Sequence, residues 1–309
     1  FHVYIVLPVY PEGRLDDPAI VAQIHLTRQS LVFGSKSLLN RIRRSLWVKQ
    51  QLELQTVPRR EWWQKITELE EQCGDEYNNI PLEACNEYVT LLNLRDHAEL
   101  NGKVVTEQIY VHSKLMIVDD RYVLVGSANI NDRSLQGDRD SELAVLISDT
   151  AYCYTDLDGT GVAAPTRNFA RELRQNAWRK WLGCAAGECA DILDKPALRS
   201  GWEKIQTLAK KNAENYETVF NFIPRDDYQP DGGSDYNGNI EHTPPPSVWP
   251  VVSANSTAME SDKENMPFSE SFWASNKIVQ YSNKLNGIKG YFTMLPVHWT
   301  EGENNLIPY

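Results

Sequence analysis

The 309-residue sequence lacks several features that would assign it to common classes of protein. It has no run of about 18 or more apolar residues, which is the length that a membrane-spanning helix requires. The opening residues, FHVYIVLP, have the pattern of a strand, without the basic flank and cleavage site of a signal peptide. These absences argue against a membrane-spanning protein.

Metal-binding cysteine patterns are also missing. The five cysteines are irregularly spaced, and the sequence contains neither a CxxC pair nor a Cys/His cluster of zinc type. We therefore expect reduced thiols in a cytoplasmic protein, and no bound metal.

Basic residues are in deficit as well. The chain has 31 lysines and arginines against 42 aspartates and glutamates, so its formal net charge is −11. A general nucleic-acid binder usually has an excess of positive charge, so we expect no nucleic-acid partner. Any anionic ligand must be bound by a local basic patch.

The pattern of apolar residues predicts an α/β protein whose mixed β-sheet is flanked by helices. The predicted strands are residues 2–9, 88–92, 104–111, 114–118, 122–127, 143–147 and 290–296. The predicted helices lie within residues 17–54, 59–77, 167–183, 198–209 and 212–221.

These elements predict three segments along the chain. Residues 1–224 form a catalytic lobe with a possible insertion at 40–85, and residues 276–309 return to that lobe. Residues 225–275 are rich in Asp, Gly, Ser, Asn and Pro and are expected to be a flexible linker. Because the chain opens on Phe1 and runs directly into a strand, we expect it to be part of a longer polypeptide.

One segment carries the pattern H-x-K-x4-D-x6-G-S-x-N. His112 and Lys114 are two positions apart where the predicted strand 114–118 begins; if His112 extends that strand, both side chains should project from the same face of the sheet. An imidazole and an ammonium would then point into one pocket. Gly126 permits close approach of a ligand to the backbone, and Ser127 and Asn129 can donate hydrogen bonds to an oxyanion.

These groups suit the hydrolysis of a phosphate diester without a metal ion or another cofactor. An imidazole gains and loses a proton near neutral pH, so His112 can act as a nucleophile or as a general acid. Lys114 can offset negative charge that develops on the phosphoryl oxygens. A carboxylate is needed to orient the imidazole, and Glu142 is the candidate. Asp119 either takes part in catalysis or holds the turn after the strand.

Six fixed residues at this spacing would recur by chance in a chain of this length on the order of once in a hundred thousand times. The segment resembles the HKD motif of the phospholipase D superfamily. In particular, IYVHSK, GSANINDRS and RDSE are similar to the second such motif of the eukaryotic phospholipases D that hydrolyse phosphatidylcholine. Three strings outside the motif also resemble these enzymes: YIVLP, LR followed by HAEL, and NFAREL.

The resemblance extends over residues 1–185 and is weaker at 186–224 and 290–299. It implies one lobe of an α-β-α sandwich, in which two lobes each contribute one motif to a shared pocket. It further implies that one histidine attacks phosphorus to give a phosphohistidine, while the other protonates the leaving choline. Water then releases phosphatidic acid. A peripheral location on cytoplasmic membranes and activation by phosphoinositides are also implied.

A second H-x-K is absent from the chain. The residue two positions after each other histidine is not lysine; these histidines are His2, His25, His97, His242 and His298. We therefore expect the chain to supply half of an active site. The other half would come from a missing N-terminal half or from a second copy of the chain.

Two other functions remain open. The superfamily also contains nucleases and other phosphodiesterases that act as dimers, although the acidic composition favours a lipid substrate. Alternatively, a noncatalytic fragment could bind phosphate or a phosphoinositide. The basic cluster within residues 36–49 is either a contact with an anionic membrane or an ordinary solvated helix face.

Overall fold

The structure is a computed structural model that describes residues 1–13, 18–185, 187–220, 223–224, 226 and 282–297. The chain divides into two compact units. The first unit comprises Phe1–Pro8, Thr90–Val219 and Lys277–Leu295, and the second comprises Val9–Val89, Phe220–Asn276 and Pro296–Tyr309. The predicted linker lies outside the described residues except for Asp226.

Both helices and strands are present, with helices packed on the sheets, which confirms the predicted fold class. The described strands are β1 (Val3–Val6), β2 (Val89–Leu100), β3 (Lys103–Gln108), β4 (Lys114–Val118), β5 (Tyr122–Gly126), β6 (Ala144–Ile147), β7 (Tyr152–Thr155), β8 (Ala164–Arg167) and β9 (Phe292–Met294). The described α-helices are α1 (Pro18–Arg28), α2 (Leu38–Leu54), α3 (Trp62–Cys73), α4 (Asp132–Leu135), α5 (Asn168–Trp181), α6 (Ala190–Asp194), α7 (Arg199–Val219) and α8 (Ser282–Asn286).

The long strand β2 organises the first sheet. Its first half pairs antiparallel with β9, so that Leu92 is opposite Met294, and its second half forms an antiparallel hairpin with β3. On its other side it is bonded to β1, where the N–H of Leu7 donates to the carbonyl of Leu92 at 2.9 Å. The predicted returning strand is therefore present as β9.

The motif lies on a second sheet, an antiparallel meander of β4, β5 and β6. Lys114 is opposite Gly126, and Gly126 is in turn opposite Ala144. Because side chains alternate along a strand, Met116 and Val118 share the face of Lys114. A further hairpin, β7 and β8, was not predicted.

The core of the first unit lies between β2, β9 and three helices. The alternate residues Leu92 and Leu94 of β2 pack with Trp178 of α5, Leu193 of α6 and Ile205 of α7. On α7 the buried residues recur every three or four positions, as on one face of an amphipathic helix.

The sequence predicts two helices where α7 is continuous. The buried Asn212 lies at the expected break, and its side chain donates to the carbonyls of Lys289 and Phe292 at 2.8 and 2.9 Å. It also accepts a hydrogen bond from the N–H of Lys289 at 3.2 Å. Asn212 thus holds the C-terminal segment against α7, which explains a polar residue inside this helix.

Two cysteines are joined in a disulfide. Cys184 and Cys189 are on either side of the turn between α5 and α6, with their Cα atoms 6.2 Å apart. That separation is within the usual range for a disulfide. The expectation that all five cysteines are reduced thiols is therefore wrong for these two, whereas Cys73, Cys85 and Cys153 are free.

The second unit is helical where it is described. Helix α2 begins after Ser37, whose side chain accepts a hydrogen bond from the N–H of Asn40 at 3.2 Å. From the predicted basic cluster, Arg43 donates to the carbonyls of Ile80 and Asn78. Arg44 lies over the ring of Tyr77 at 4.5 Å. These two arginines support the fold of the unit, so the cluster is not a freely solvated stripe.

Across the described residues, no helix combines the length and the apolar character that crossing a membrane demands.

Candidate active site

His112 lies in the connection between β3 and β4, which runs over residues 109–113. The prediction that it belongs to the strand is wrong, since β4 begins at Lys114. The N–H of Ile109 donates to the carbonyl of Leu94 at 2.7 Å and fixes the start of this connection. The ring of Tyr110 is stacked near His112, with ring centroids 6.2 Å apart.

The ammonium of Lys114 lies beside His112. Its Nζ donates to the backbone carbonyl of His112 at 2.7 Å. The side chain of His112 is exposed and Lys114 is half-buried. The ammonium of Lys114 therefore lies against the backbone of His112 at the start of β4, and the imidazole of His112 is open to solvent.

Gly126 is the partner of Lys114 across the sheet. A Cβ built on it would meet the carbonyl oxygen of Leu143 at 2.9 Å and the Cβ of Ala144 at 3.0 Å. Close packing of β6 therefore requires glycine here. That Gly126 also lets a ligand come close to the backbone stays a prediction.

Ser127 and Glu142 form the second part of the site. The hydroxyl of Ser127 donates to the carboxylate of Glu142 and accepts a hydrogen bond from the N–H of Leu143 at 3.0 Å. The pKa of Glu142 is lowered, chiefly by this hydrogen bond from Ser127 and to a smaller extent by the positive charge of Lys114. The carboxylate is exposed and stays ionised at neutral pH.

The loop between β5 and β6 is closed by its own contacts. Asn131 caps the short helix α4 by accepting from the N–H of Ser134 at 3.0 Å. Arg133 pairs with Asp140 at 2.9 Å. Asn129 lies exposed in this loop, two residues after Ser127. The string that follows Gly126 in the sequence thus builds a loop that ends at Glu142.

Asp119 is not brought to this site. It lies in the turn between β4 and β5 with a φ of 52°, and the next residue, Asp120, has a φ of 50°. Successive positive φ values are typical of a tight hairpin turn. The five residues of β4 place Asp119 about 16 Å from the strand's beginning. The position agrees with the alternative that Asp119 holds the turn.

The sequence reasoning missed a buried ion pair at this turn. The guanidinium of Arg174 on α5 donates to both carboxylate oxygens of Asp120, at 2.6 and 2.7 Å, and to the carbonyl of Leu193 at 2.7 Å. Asp120 is 3% exposed and Arg174 is 6% exposed. Arg174 lies four residues after Ala170 and four before Trp178, on the buried face of α5. An arginine at this helical spacing among apolar residues was the signal that could have revealed a buried ion pair.

The four grouped residues are His112, Lys114, Ser127 and Glu142. Together they offer an imidazole, a point positive charge, a hydroxyl and an ionised carboxylate. Such a set can attack, orient and neutralise a phosphoryl group. Among the residues that the structure describes, no group of three or more His, Cys, Asp or Glu side chains is arranged to hold a metal ion.

Comparison with known proteins gives matches over most of the chain. The family model described as phospholipase D matches residues 1–225. Phospholipase D2 of Bos taurus is 36% identical over 229 residues, which are 72% of this chain and 20% of that protein. Phospholipase D1 of Mus musculus is 34% identical over 232 residues, covering 74% and 18%, respectively.

A plant relative gives a similar result. Phospholipase D zeta 1 of Arabidopsis thaliana is 34% identical over 234 residues, which are 73% of this chain and 18% of that protein. The matched region thus spans about a fifth of the length of these curated relatives. With a family match over residues 1–225 and the motif gathered at one end of β4, the chain belongs to the phospholipase D family.

Proposed function

We propose that this chain supplies one half of the active site of a phospholipase D that hydrolyses phosphatidylcholine to phosphatidic acid and choline. The observation that carries the proposal is the proximity of an ammonium to an exposed histidine, since Nζ of Lys114 lies 2.7 Å from the carbonyl oxygen of His112. An ammonium has three N–H donors, so two remain for phosphoryl oxygens. The relatives at 36 and 34% identity are phospholipases D, which supports a phospholipid as the substrate.

In the proposed reaction, a nitrogen of one imidazole attacks phosphorus while the bond from phosphorus to the choline oxygen breaks. A second imidazole, from the other half-site, gives its proton to that oxygen. The second imidazole, now neutral, takes a proton from water, whose oxygen attacks phosphorus; the phosphorus–nitrogen bond breaks and phosphatidic acid leaves. His112 can fill either role, so the order of the two histidines stays open.

Glu142 is proposed to orient His112 and to stabilise its protonated form. Its carboxylate accepts a hydrogen bond from Ser127. A carboxylate has two oxygens and about four acceptor positions, so it can bond to Ser127 and to an imidazole together. Ser127 and Asn129 are proposed to contact phosphoryl oxygens, Ser127 by turning its single O–H from Glu142 to the substrate when it binds. Asp119 keeps a position in the turn.

The second half-site is proposed to come from a missing N-terminal half or from a second copy of this chain. Two observations support the need for it. The chain has one H-x-K, and it spans about a fifth of the length of the relatives that it matches. Both faces of the sheet that carries Lys114 also expose large apolar side chains, among them Met116 and Val145.

The proposal includes no metal ion or other cofactor in the chemical step, and a phospholipid as the substrate. Phosphoinositide activation and a peripheral location on cytoplasmic membranes are proposed from the family resemblance alone. No nucleic-acid partner is proposed, because the net charge of −11 opposes binding to a polyanion.

The decisive experiment measures release of choline from phosphatidylcholine by the chain alone and after addition of the corresponding N-terminal half with its own HKD motif. We expect turnover only in the mixture, and formation of phosphatidylbutanol when butanol is present. His112→Asn should abolish turnover and leave the unfolding temperature unchanged, because His112 is exposed.

Each of the other outcomes identifies a different function. Cleavage of a nucleic acid by the chain alone, as a dimer, would favour the nuclease alternative. Binding of phosphate without turnover in the mixture would favour a noncatalytic fragment. A full rate with His112→Asn would remove this residue from the mechanism.

A further inference from the structure

Helices α2 and α3 form a helical hairpin in the second unit. Val48 and Leu52 of α2 pack with Leu69 of α3, and Trp62 is partly buried against them. The indole N–H of Trp62 donates to the carbonyl of Val57 at 2.9 Å. The seven connecting residues, 55–61, are therefore fixed to the two helices by a hydrophobic core and a hydrogen bond.

Two large apolar side chains at this connection are excluded from that core. Leu54 ends α2 and is 74% exposed, and Trp63, the second residue of α3, is 71% exposed. Scattered apolar residues on a surface need no explanation. Here a leucine and a tryptophan occur on either side of the same short connection, which is a more specific arrangement.

Basic groups accompany these two side chains. The side chain of Arg60 is 85% exposed and pairs with Glu61, itself 44% exposed, at 3.2 Å, and the guanidinium of Arg59 lies over the ring of Trp62 at 5.6 Å. Exposed ion pairs of this kind are weak, so Arg60 can exchange this partner for a phosphate.

Residues 49–65 contain four cations and two anions. Residues 66–76, along α3 and beyond it, contain five anions and no cation. The far end of the hairpin also carries Arg41, Arg43 and Arg44 of α2, so its net charge is −2 over residues 38–48 and 66–76, against +2 over residues 49–65. The hairpin is therefore positive at the end with the connection and negative at the other end.

The two ends of the hairpin are farther apart than the range over which charges interact at physiological ionic strength. Helix α3 has 12 residues and is therefore about 18 Å long. The Debye length at physiological ionic strength is about 8 Å. An anionic surface that contacts the positive end is consequently screened from the acidic end.

We propose that the hairpin tip, defined as residues 54–63, binds the surface of an anionic phospholipid bilayer. Leu54 and Trp63 would enter the interfacial region, where a tryptophan has both its apolar ring and its N–H accommodated. Arg59 and Arg60 would contact lipid phosphates. With a net charge of −11, the whole chain is repelled by such a surface unless a local positive end approaches it.

A lipid surface fits the tip better than a protein partner does. A stable protein interface buries about 800 Å² on each side. A tryptophan contributes about 250 Å² at most, so the two exposed side chains of the tip fall well below that area. Partial insertion of two side chains, supported by two cations, is sufficient for a peripheral and reversible membrane contact.

The test is co-sedimentation of the full chain with vesicles. Vesicles of phosphatidylcholine alone are compared with vesicles in which about one quarter of the lipid is phosphatidylserine. All proteins carry His112→Asn, so that no turnover changes the lipid and binding is read independently of the proposed activity. We expect stronger binding to the anionic vesicles and a loss of binding as salt is raised.

Two double variants probe the tip. Leu54→Ser with Trp63→Ser, and separately Arg59→Glu with Arg60→Glu, should each weaken binding to the anionic vesicles by about tenfold or more. The matched controls are Leu100→Ser, at a residue that is 61% exposed in the first unit, and Lys210→Glu on the exposed side of α7. Both controls should bind as the parent does, and circular dichroism should be unchanged in every variant.

Several outcomes would overturn the proposal. These are undiminished binding by both tip variants, an equal loss in the controls, and failure of the parent to sediment with anionic vesicles at low salt. If the tip variants instead abolish self-association in the absence of lipid, as measured by analytical ultracentrifugation, the tip is a protein contact and the lipid assignment is wrong.

Discussion

At the scale of single residues, the site depends on where one ammonium group is held. Lys114 is anchored by the carbonyl of His112 and has two N–H groups left over. A guanidinium is planar and wider, and it presents its donors in a rigid fork. Lys114→Arg should therefore keep the positive charge but place its N–H donors differently relative to the phosphoryl oxygens.

We expect Lys114→Arg to lower turnover in the complemented enzyme by about 100-fold, the size of effect seen when one group that stabilises a developing charge is removed. Choline release measures it. Lys210→Arg, at an exposed position of α7, is the matched control and should retain the parent rate. A normal rate for Lys114→Arg would argue against a close contact between this residue and the phosphoryl oxygens.

The ionisation of Glu142 offers a second test at this scale. The hydrogen bond from Ser127 is the main cause of its lowered pKa, so Ser127→Ala should raise that pKa toward the ordinary value for glutamate. Because the pKa of Glu142 is lower in the folded than in the unfolded chain, its ionised form stabilises the fold at a pH above the unfolded pKa. This stabilisation is lost as the pH falls through the folded pKa. In Ser127→Ala the stability of the fold should therefore fall less between neutral and acidic pH.

The measurement is a pH titration of the carboxyl carbon of Glu142 by nuclear magnetic resonance, with Glu142→Gln used to assign the signal. Asn129→Ala, two residues further along the loop, serves as the control and should leave the pKa of Glu142 where it was. An unchanged titration in Ser127→Ala would mean that the side chain of Ser134 or the charge of Lys114 lowers the pKa of Glu142 instead.

At the scale of elements, the turn between β4 and β5 is joined to α5 through Asp120 and Arg174. Both side chains are almost fully buried, and Asp120 accepts two hydrogen bonds from the guanidinium. The backbone carbonyl of Asp120 also accepts from the N–H of Arg167 at 2.8 Å. The hairpin that carries the motif is thus fixed at the end remote from His112.

Asp120→Asn should destabilise the chain by about 3–5 kcal/mol, because it leaves the charge of Arg174 buried without a counter-ion. Asp119→Asn is the natural control: it changes the neighbouring residue, which is exposed and whose positive φ suits asparagine. It should change stability by less than about 0.5 kcal/mol. Urea unfolding of both variants provides the comparison, and equal effects would contradict the assignment of the structural role to Asp120.

These elements also show what the sequence could and could not predict. Alternating and continuous apolar runs predicted β4, β5 and β6, because the strand period is a local property. The spacing of Arg174 on the buried face of α5 signals a buried cation, but nothing local identifies its partner as Asp120, which is 54 residues away. The break predicted within α7 failed for the same reason, since the bonds that stabilise Asn212 come from Lys289 and Phe292.

The site was predicted unevenly for related reasons. Spacing within one short segment predicted that the side chains of His112 and Lys114 project from one face of a strand. The structure places Lys114 at the start of β4, with its Nζ at the backbone carbonyl of His112, and His112 in the connection before the strand. The partner of Glu142 depends on how the loop before β6 folds back, so the contact with Ser127 was not foreseen. The roles of these residues in catalysis remain predictions.

At the scale of the whole molecule, the sheet of β4, β5 and β6 presents apolar residues on both faces. On the face of Lys114, Met116 is 57% and Leu146 is 64% exposed; on the opposite face, Val125 is 43% and Val145 is 57% exposed. Strands with continuous apolar runs are typical of sheets covered on both sides. The proposed second half-site would cover the face of Lys114, since the two motifs must meet at one phosphoryl group.

Leu146→Ser should therefore weaken the association of this chain with the N-terminal half that carries the other motif. Losing the burial of one leucine costs about 1.5 kcal/mol, which raises the half-maximal concentration of the added half about tenfold. Val145→Ser, next to it but on the opposite face, should have a much smaller effect. Titrating choline release against the added half measures both variants. If Val145→Ser weakens association and Leu146→Ser does not, the second half-site covers the other face, and the approach of the two motifs proposed here is wrong.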